Sequence, residues 1–378
     1  MLNDYIYNEI KNALVYDPTE GQNELILKLS KFVSASSDMN ELFLIKGYAG
    51  TGKTSTVAAL VKALVQLKQK AVLAAPTGRA AKVLSAYAKA SAFTVHKKIY
   101  RQKSASDGMG NFVLDVNLHK NTIFIIDEAS MIANQGSDNT IFGSGRLLDD
   151  LIRYVYNDKG CKLILIGDTA QLPPVKLDIS PALDVKELET YGLTVIDHEL
   201  TEVVRQSKES GVLENATKIR SILQKSSDPT ATVKFKGYPK FKTEGFDDIN
   251  RVSGNDLIES ISDAYGKYSE QDVVVICRSN KRANRFNQGI RNSVLYKEEE
   301  ISTGDILMIV KNNYYWAEEY DEIDFIANGD TAEIISIKKY TERYGYRFAD
   351  ITLRFYDYND LEMDVKVILD TLNSETAS

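Results

Sequence analysis

The octapeptide GYAGTGKT at residues 47–54 decides the fold prediction, because it fits the pattern G-x-x-x-x-G-K-[ST]. The apolar run LFLIK at 42–46 precedes it, and a helical pattern from about Lys53 to Leu67 follows. A glycine-rich loop between a strand and a helix lets backbone amides and the helix dipole approach phosphate groups. A glycine-rich turn that only caps a helix is the weaker alternative, since the loop stands in the required context.

The loop supplies specific candidates for nucleotide binding. Lys53 is expected to reach the β- and γ-phosphates of ATP, and Thr54 to hold Mg²⁺. The other loop residues that we expect at the nucleotide are Gly47, Gly50, Thr51, Gly52 and Ser55.

Further buried strands are predicted outward from this loop, at 71–75, 122–126 and 162–166. Helical patterns alternate with them, which indicates an α/β fold with a parallel sheet. Each strand ends at a polar cluster, namely PTGR, DEAS and GDTAQLPP. Ligands of such sheets bind at the carboxyl ends of the strands, so these clusters form one candidate site.

Besides Lys53 in the phosphate loop, two of these clusters and one later segment carry candidate catalytic side chains. Asp127 is placed to bind Mg²⁺ and Glu128 to orient or deprotonate a water molecule. Gln171 suits sensing of the γ-phosphate, although a Pro-terminated turn explains its segment equally well. Arg205 could stabilise charge on the transferred phosphoryl group, and a surface ion pair is its alternative.

The charge of the chain is unevenly distributed. The net charge is −7, but residues 42–106 contain twelve Lys or Arg and no Asp or Glu, which leaves −19 on the remainder. A basic face of this kind suits phosphates. The aromatic residues Tyr87, Phe93 and Tyr100 within it suit a single strand, or else pack in the core. Lysines 62, 68 and 70 are also explained as a solvated helix face.

The second half of the chain has a different pattern. A helical region is predicted at 210–224, a loop at 225–248, a buried strand at 272–277 and a helix from Asn280 to about Val294. From Gly304 the apolar residues alternate with period two, which predicts a small antiparallel β module. A short hairpin is predicted at about 101–118, around DGMGN.

Seven strings in this order resemble the motifs of superfamily 1B DNA helicases of the RecD/Dda type. They are PTEGQ at 18–22, GYAGTGKT at 47–54, APTGRAAKVLS at 75–85, TVHKKIY at 94–100, DEASM at 127–131, GDTAQLPPV at 167–175 and LTEVVRQ at 200–206. The resemblance implies a RecA-like P-loop NTPase domain at 1–206 with its hairpin at 101–118. It also implies a partial second RecA-like domain at 207–303, an SH3-like β insertion at 304–366 and a tail at 367–378.

The resemblance also assigns residues. Gln22 is implied to read adenine, Gln171 to couple the sites, and Arg205 to be the arginine finger. The residues assigned to single-stranded DNA are Pro76, Thr77, Arg79, Thr94, His96 and Asn280. Phe112 is the candidate wedge of a strand-separating hairpin.

Two later family motifs, Thr-x-His-Lys-x-Gln-Gly and one near Ala-x-Thr-Arg, do not occur. We therefore expect a C-terminally incomplete second motor domain, with ATP binding retained and hydrolysis impaired. The leading hypothesis is an ATP-driven motor on single-stranded DNA with 5′→3′ polarity. An ATP-dependent switch without nucleic acid and a non-hydrolysing DNA-binding fragment are the alternatives.

Composition excludes other classes of site. Cys161 and Cys277 are too few and too separated for a metal centre, and the three histidines lack ligand spacing. We expect free buried thiols in a reducing cytoplasm. No apolar run is long enough to span a bilayer, and no signal peptide is visible. A monomer is the default expectation, since no oligomerisation element is visible.

Overall fold

The chain divides into two units, Met1–Gln206 and Ser207–Ser378, in this computed structural model. The structure describes residues 2–35, 40–102, 112–136, 142–157, 160–175, 177–202, 210–227, 238–270, 272–310, 313, 315–317, 320, 323, 326 and 329–372. Each unit is described by itself.

The first unit is built on a parallel sheet flanked by helices. Its strands are β1 (Glu41–Gly47), β2 (Lys70–Ala75), β3 (Ala92–Thr94), β4 (Tyr100–Gln102), β5 (Phe112–Leu114), β6 (Thr122–Ile126), β7 (Lys162–Gly167) and β8 (Thr194–Leu200). Its helices are α1 (Leu2–Ala13), α2 (Glu20–Ser34), α3 (Lys53–Gln66), α4 (Gly78–Ala88), α5 (Val95–Ile99), α6 (Leu147–Tyr156) and α7 (Val185–Glu189).

Six of these strands form one parallel sheet in the order β3-β2-β6-β7-β1-β8. Alternate residues of β1 enter opposite cores, because side chains of a strand alternate between its faces. Leu42 and Leu44 pack in one hydrophobic cluster, and Phe43 and Ile45 pack in the other. A strand covered on both faces is a continuous apolar run, which is why the sequence revealed it. The predicted α/β fold with a parallel P-loop sheet is confirmed.

Local sequence signals fix where the helices begin. Thr19 and Gln22 form a capping box at α2, in which each side chain bonds the backbone amide of the other residue. Helix α3 begins at Lys53, directly after Gly52 at φ +85°. The strands β4 and β5 pair antiparallel where the hairpin is predicted, and residues 103–111 between them lie outside the described residues.

The second unit contains three helices and an antiparallel sheet. The helices are α8 (Gly211–Ser227), α9 (Leu257–Lys267) and α10 (Asn280–Ser293). The strands β9 (Ile306–Met308), β10 (Thr331–Arg343), β11 (Tyr346–Phe355) and β12 (Leu361–Ile368) pair in the order β12-β11-β10-β9. Alternate residues such as Ile351, Leu353 and Phe355 are buried, which is the period-two pattern seen in the sequence. The predicted separate antiparallel module is confirmed.

The buried strand predicted at 272–277 is wrong. Residues 273–277 form no strand, and the side chains of Val274 and Ile276 are 78% and 89% exposed. An interior strand must pair its backbone groups with neighbours, and no strand of the described part of this unit pairs with the segment. Cys161 is buried, Cys277 is half-buried, and both are free thiols. Within the described ranges, no helix is both long and apolar enough to cross a membrane.

Candidate nucleotide and nucleic-acid site

The phosphate loop follows β1 and depends on its glycines. Gly50 and Gly52 adopt φ of +83° and +85°, a backbone conformation that residues with a side chain rarely adopt. A Cβ on Gly52 would collide with the Gln22 amide nitrogen and would crowd the Tyr16 hydroxyl at 3.1 Å. A larger residue at position 52 would therefore displace Gln22 or the loop itself.

Lys53 is the first residue of α3 and folds back onto the loop. Its Nζ donates to the carbonyl oxygens of Gly47 at 2.6 Å and Tyr48 at 3.0 Å. Thr54 and Ser55 follow in the first helical turn and are half-buried. Thr51 is buried, and its hydroxyl donates to the Tyr48 carbonyl at 2.8 Å. The helix N-terminus thus presents backbone donors and one ammonium group to the same loop, which suits an anionic ligand.

Gln22 joins the N-terminal helix to this loop. Its side chain is fully buried, its Oε1 accepts from the Thr19 amide, and its Nε2 donates to the Thr51 carbonyl at 3.0 Å. The Gln22 side chain therefore fixes the phosphate loop to the start of α2. Its role in reading adenine stays a prediction.

Asp127 and Glu128 lie at the carboxyl end of β6, in the same sheet as β1. Burial, together with the neighbouring Glu128 charge, raises the pKa of Asp127 to about 6, while the Glu128 backbone N–H and the Lys53 ammonium oppose the shift. The Glu128 amide donates to Asp127 Oδ1 at 2.8 Å. Glu128 itself adopts φ +54°, a strained backbone conformation for a residue with a side chain. Strain and a raised carboxyl pKa together are typical of functional sites.

Gln171 lies after β7 and connects to the acid pair through a serine. Ser130 Oγ donates to Gln171 Oε1 at 2.9 Å, and Ser130 is buried in the 3-10 turn Ala129–Met131. The Ser180 hydroxyl fixes this turn by bonding the carbonyls of Ala129 and Ile132. Sequence reasoning missed both serines. Ser130 stands within the DEAS string, but no local signal marks Ser180, whose role arises only from the fold.

The residues after β2 are the first of those predicted to bind single-stranded DNA. Pro76 and Thr77 are half-buried and Arg79 is exposed. Thr77 Oγ1 accepts from the Ala80 amide at 3.2 Å and caps α4. The structure thus leaves the Arg79 guanidinium accessible to solvent, while the Thr77 side chain also has a structural partner.

Thr94 and His96 are more deeply involved in packing than the motif suggests. Thr94 is 8% exposed, and its Oγ1 accepts from the Lys97 amide to cap α5. His96 packs edge-on against Phe142 at 5.0 Å between ring centroids and lies 5.8 Å from Tyr100. Burial lowers the pKa of His96 to about 4, so the ring is neutral at pH 7. Contact of either side chain with single-stranded DNA stays a prediction.

Phe112 packs in an aromatic cluster, and its role as a strand-separating wedge stays a prediction. Its ring stacks on Phe142 with 4.7 Å between centroids, and it pairs with Gln102 at the end of the β4–β5 ladder that leads into residues 103–111. Tyr100 belongs to the same group and is also core, since it is buried and donates to Asp150 at 2.8 Å. Of the other aromatic candidates, Tyr87 is 52% exposed and Phe93 is half-buried.

Two predicted site residues do not belong to the described part of the first unit. Arg205 is outside the described residues. Asn280 is exposed at the first position of α10 in the second unit, after the Ser279 cap.

Comparisons with known proteins agree with the site. The family model described as AAA domain matches residues 29–225, just over half of the chain. Uncharacterized protein R530 of Acanthamoeba polyphaga mimivirus is 26% identical over 80% of this chain and 61% of its own length. ATP-dependent DNA helicase dda of Enterobacteria phage T4 is 26% identical over 78% of this chain and 61% of its own length.

A third relative matches a shorter part of the chain. ATP-dependent RecD2 DNA helicase of Deinococcus radiodurans is 28% identical over 47% of this chain and 21% of its own length. The chain thus spans less than two thirds of the length of each of these relatives. The motif resemblance is confirmed by these matches, and the chain belongs to the AAA domain family, as a superfamily 1 helicase-type protein of the RecD/Dda kind.

Proposed function

We propose that this chain is an ATP-hydrolysing motor that moves on single-stranded DNA in the 5′→3′ direction and couples hydrolysis to strand separation. The observation that carries the proposal is the meeting of three groups at one edge of the sheet. The phosphate loop follows β1, the acid pair follows β6, and Gln171 follows β7. The relatives that are named ATP-dependent DNA helicases support the same activity.

The residues present fit a Mg²⁺–ATP complex. Oxygen ligands are those that Mg²⁺ prefers, and the Thr54 hydroxyl and the Asp127 carboxylate are oxygen donors. A cation beside Asp127 would favour its ionised form, which burial disfavours in the protein alone. Bound Mg²⁺ supplies neutralisation of phosphate charge. Lys53 would exchange its two loop carbonyls for phosphate oxygens, a step that needs only rotation of its side chain.

Hydrolysis requires a base and charge stabilisation. We assign the base to Glu128, which follows Asp127 in the chain and donates its backbone N–H to the Asp127 carboxylate. Arg205 is proposed as the arginine finger, as the family resemblance implies.

Coupling to DNA is proposed to run through the Ser130–Gln171 hydrogen bond. This bond joins the turn after Glu128 to the segment after β7. A movement of the acid pair would therefore shift the segment that carries Gln171. We propose that single-stranded DNA contacts Pro76, Thr77 and Arg79 in the first unit and Asn280 in the second. Thr94 is proposed to act through the cap of α5, and His96 through its packing.

The decisive experiment compares ATP hydrolysis with and without a single-stranded oligonucleotide. The oligonucleotide is expected to stimulate the hydrolysis that the wild-type chain retains. Lys53→Ala should lower the stimulated rate by at least about 100-fold, as expected for loss of one charge-stabilising donor. Lys62→Ala is the matched control, because Lys62 is an exposed lysine of the same helix.

Glu128→Gln separates binding from chemistry. We expect it to retain binding of a non-hydrolysable ATP analogue while turnover is lost. Turnover that is indifferent to DNA would instead indicate an ATP-dependent switch. Analogue binding without any turnover in the wild-type chain would indicate a non-hydrolysing DNA-binding protein.

A further inference from the structure

A cleft of about 290 Å³ lies at the base of the β4–β5 hairpin. Its walls are α5, which enters the hairpin, and residues 115–119, which leave it. The volume is at the lower end for small-ligand sites, about 300–1,000 Å³, so the cleft suits one monomer unit of a longer ligand. None of the ATP-site residues lines it.

The cleft concentrates positive charge beside an aromatic ring. The ammonium groups of Lys97 and Lys98 lie 5.5 and 5.3 Å from the centroid of the Phe93 ring. His119 lines the opposite wall. The acid in the lining, Asp115, forms an ion pair with Arg101 at 3.3 Å. An anion entering the cleft therefore meets cationic groups that repel one another.

Burial, and for Lys97 and His119 also neighbouring positive charge, lowers the pKa of each of these groups. Burial and the Lys98 charge lower the pKa of Lys97, and burial lowers the pKa of Lys98. The pKa of His119 is lowered by burial and then by the charges of Lys98 and Lys70. A neutral imidazole still offers an N–H donor to an anion.

The opposite wall is held in place and presents apolar side chains. Asn117 is buried and its Oδ1 accepts from the His119 amide at 2.9 Å, while the Cys161 thiol donates to the His119 carbonyl. Val116 and Leu118, on either side of Asn117, line the cleft and are 56% and 83% exposed. A pinned segment with two outward apolar side chains can cover one flat face of a ligand.

We propose that this cleft binds one nucleotide of single-stranded DNA, with the phosphate on Lys97, Lys98 and His119 and the base between Phe93 and Leu118. Cationic groups next to an aromatic face are the chemistry of sequence-independent strand binding. A duplex keeps its bases stacked inside, so only an unpaired strand can offer a base to Phe93. The inference rests on the proposed function in one respect, namely that the chain binds single strands.

The test uses the double variant Lys97→Gln/Lys98→Gln of the full chain. Its control, Lys62→Gln/Lys68→Gln, removes the same charge from exposed lysines of the same acid-free stretch. Binding of a fluorescent oligo-dT is measured over a range of salt concentrations. We expect about tenfold weaker binding and a salt dependence reduced by about one to two contacts for the first variant only. Phe93→Leu should weaken binding at least about fivefold, because it removes the stacking ring.

A second measurement on the wild-type chain does not depend on the folding of a variant. Lysine acylation is followed by mass spectrometry, and oligo-dT should protect Lys97 and Lys98 but not Lys62. Protection by dTMP or inorganic phosphate at equal phosphate concentration would assign the cleft to a free ligand and overturn the strand proposal. Protection by a poly-glutamate peptide alone would assign it to an acidic partner and also overturn it.

The two proposals fail in distinguishable ways. If the cleft proposal alone is wrong, oligo-dT still binds the wild-type chain and stimulates turnover, but Lys97 and Lys98 are not protected and both double variants behave alike. If the motor proposal is wrong, oligo-dT stimulates no turnover in the wild-type chain, and protection of Lys97 and Lys98 still reports separately whether the cleft binds the strand.

Discussion

The motif residues at the carboxyl ends of β1, β6 and β7, here called the phosphate edge, have different surroundings from those around the base of the β4–β5 hairpin, here called the hairpin base. At the phosphate edge, Lys53 and Glu128 are half-buried and stand on a positive-φ loop and a strained turn. Around the hairpin base, the rings of His96 and Phe112 both pack against the Phe142 ring. The difference teaches that a motif string marks an important segment, whereas the contacts of each side chain decide whether it meets a ligand or supports the residues that do.

The largest expected effect tests the idea that the phosphate edge is destabilised in favour of function. An acid whose folded pKa is raised, from 3.8 to about 6 for Asp127, weakens the fold as pH rises through this window. Asp127→Asn removes the charge and retains an oxygen that can accept from the Glu128 amide. We expect the free energy of unfolding at pH 7 to rise by about 1–3 kcal/mol, since each pKa unit corresponds to about 1.4 kcal/mol. Urea unfolding at pH 7 measures it.

The pH dependence supplies the control for this prediction. The gain in stability should shrink toward zero near pH 4, where Asp127 is protonated in the wild-type fold. A gain that is equal at both pH values would show that the effect is not electrostatic. ATP turnover should be lost in either case, because Asp127 is the proposed Mg²⁺ ligand.

The phosphate edge was largely predictable from sequence, and the reason is local. A glycine-rich loop between a strand and a helix needs fixed residue types at fixed spacing, so GYAGTGKT identifies both the fold and Lys53. The strands of the sheet were predictable because burial on both faces requires continuous apolar runs.

The remainder depended on contacts between distant segments. The apolar run at 272–277 has the composition of an interior strand, but strand formation needs partners that a single segment cannot reveal. The packing of Phe112 on Phe142 joins residues thirty positions apart, and Ser180 reaches the turn after Glu128 from fifty positions away. These roles follow from the chain's path and not from its local pattern.

The hairpin base should depend on the hydrogen bond between Tyr100 and Asp150. Asp150 is 2% exposed and accepts from the Tyr100 hydroxyl at 2.8 Å and from the Ser144 amide at 2.9 Å. Tyr100→Phe leaves a buried carboxylate with fewer donors, so we expect a loss of about 1–2 kcal/mol in the free energy of unfolding. Tyr87→Phe is the control, since Tyr87 is an exposed tyrosine. Equal stability of the two variants would contradict a structural role for this bond. ATP turnover in the absence of DNA should change little.

The smallest expected effect decides whether the Thr94 side chain contacts a ligand or supports its neighbours. Its hydroxyl caps α5, and loss of such a cap costs about 1 kcal/mol, so Thr94→Ala should lower the unfolding temperature while Thr94→Ser retains it. If the cap is its role, oligonucleotide affinity should fall only modestly in Thr94→Ala and recover in Thr94→Ser together with stability. An alanine variant of wild-type stability that binds the oligonucleotide much more weakly would instead place the hydroxyl on the strand. Because Thr94 is only 8% exposed, we expect the first result.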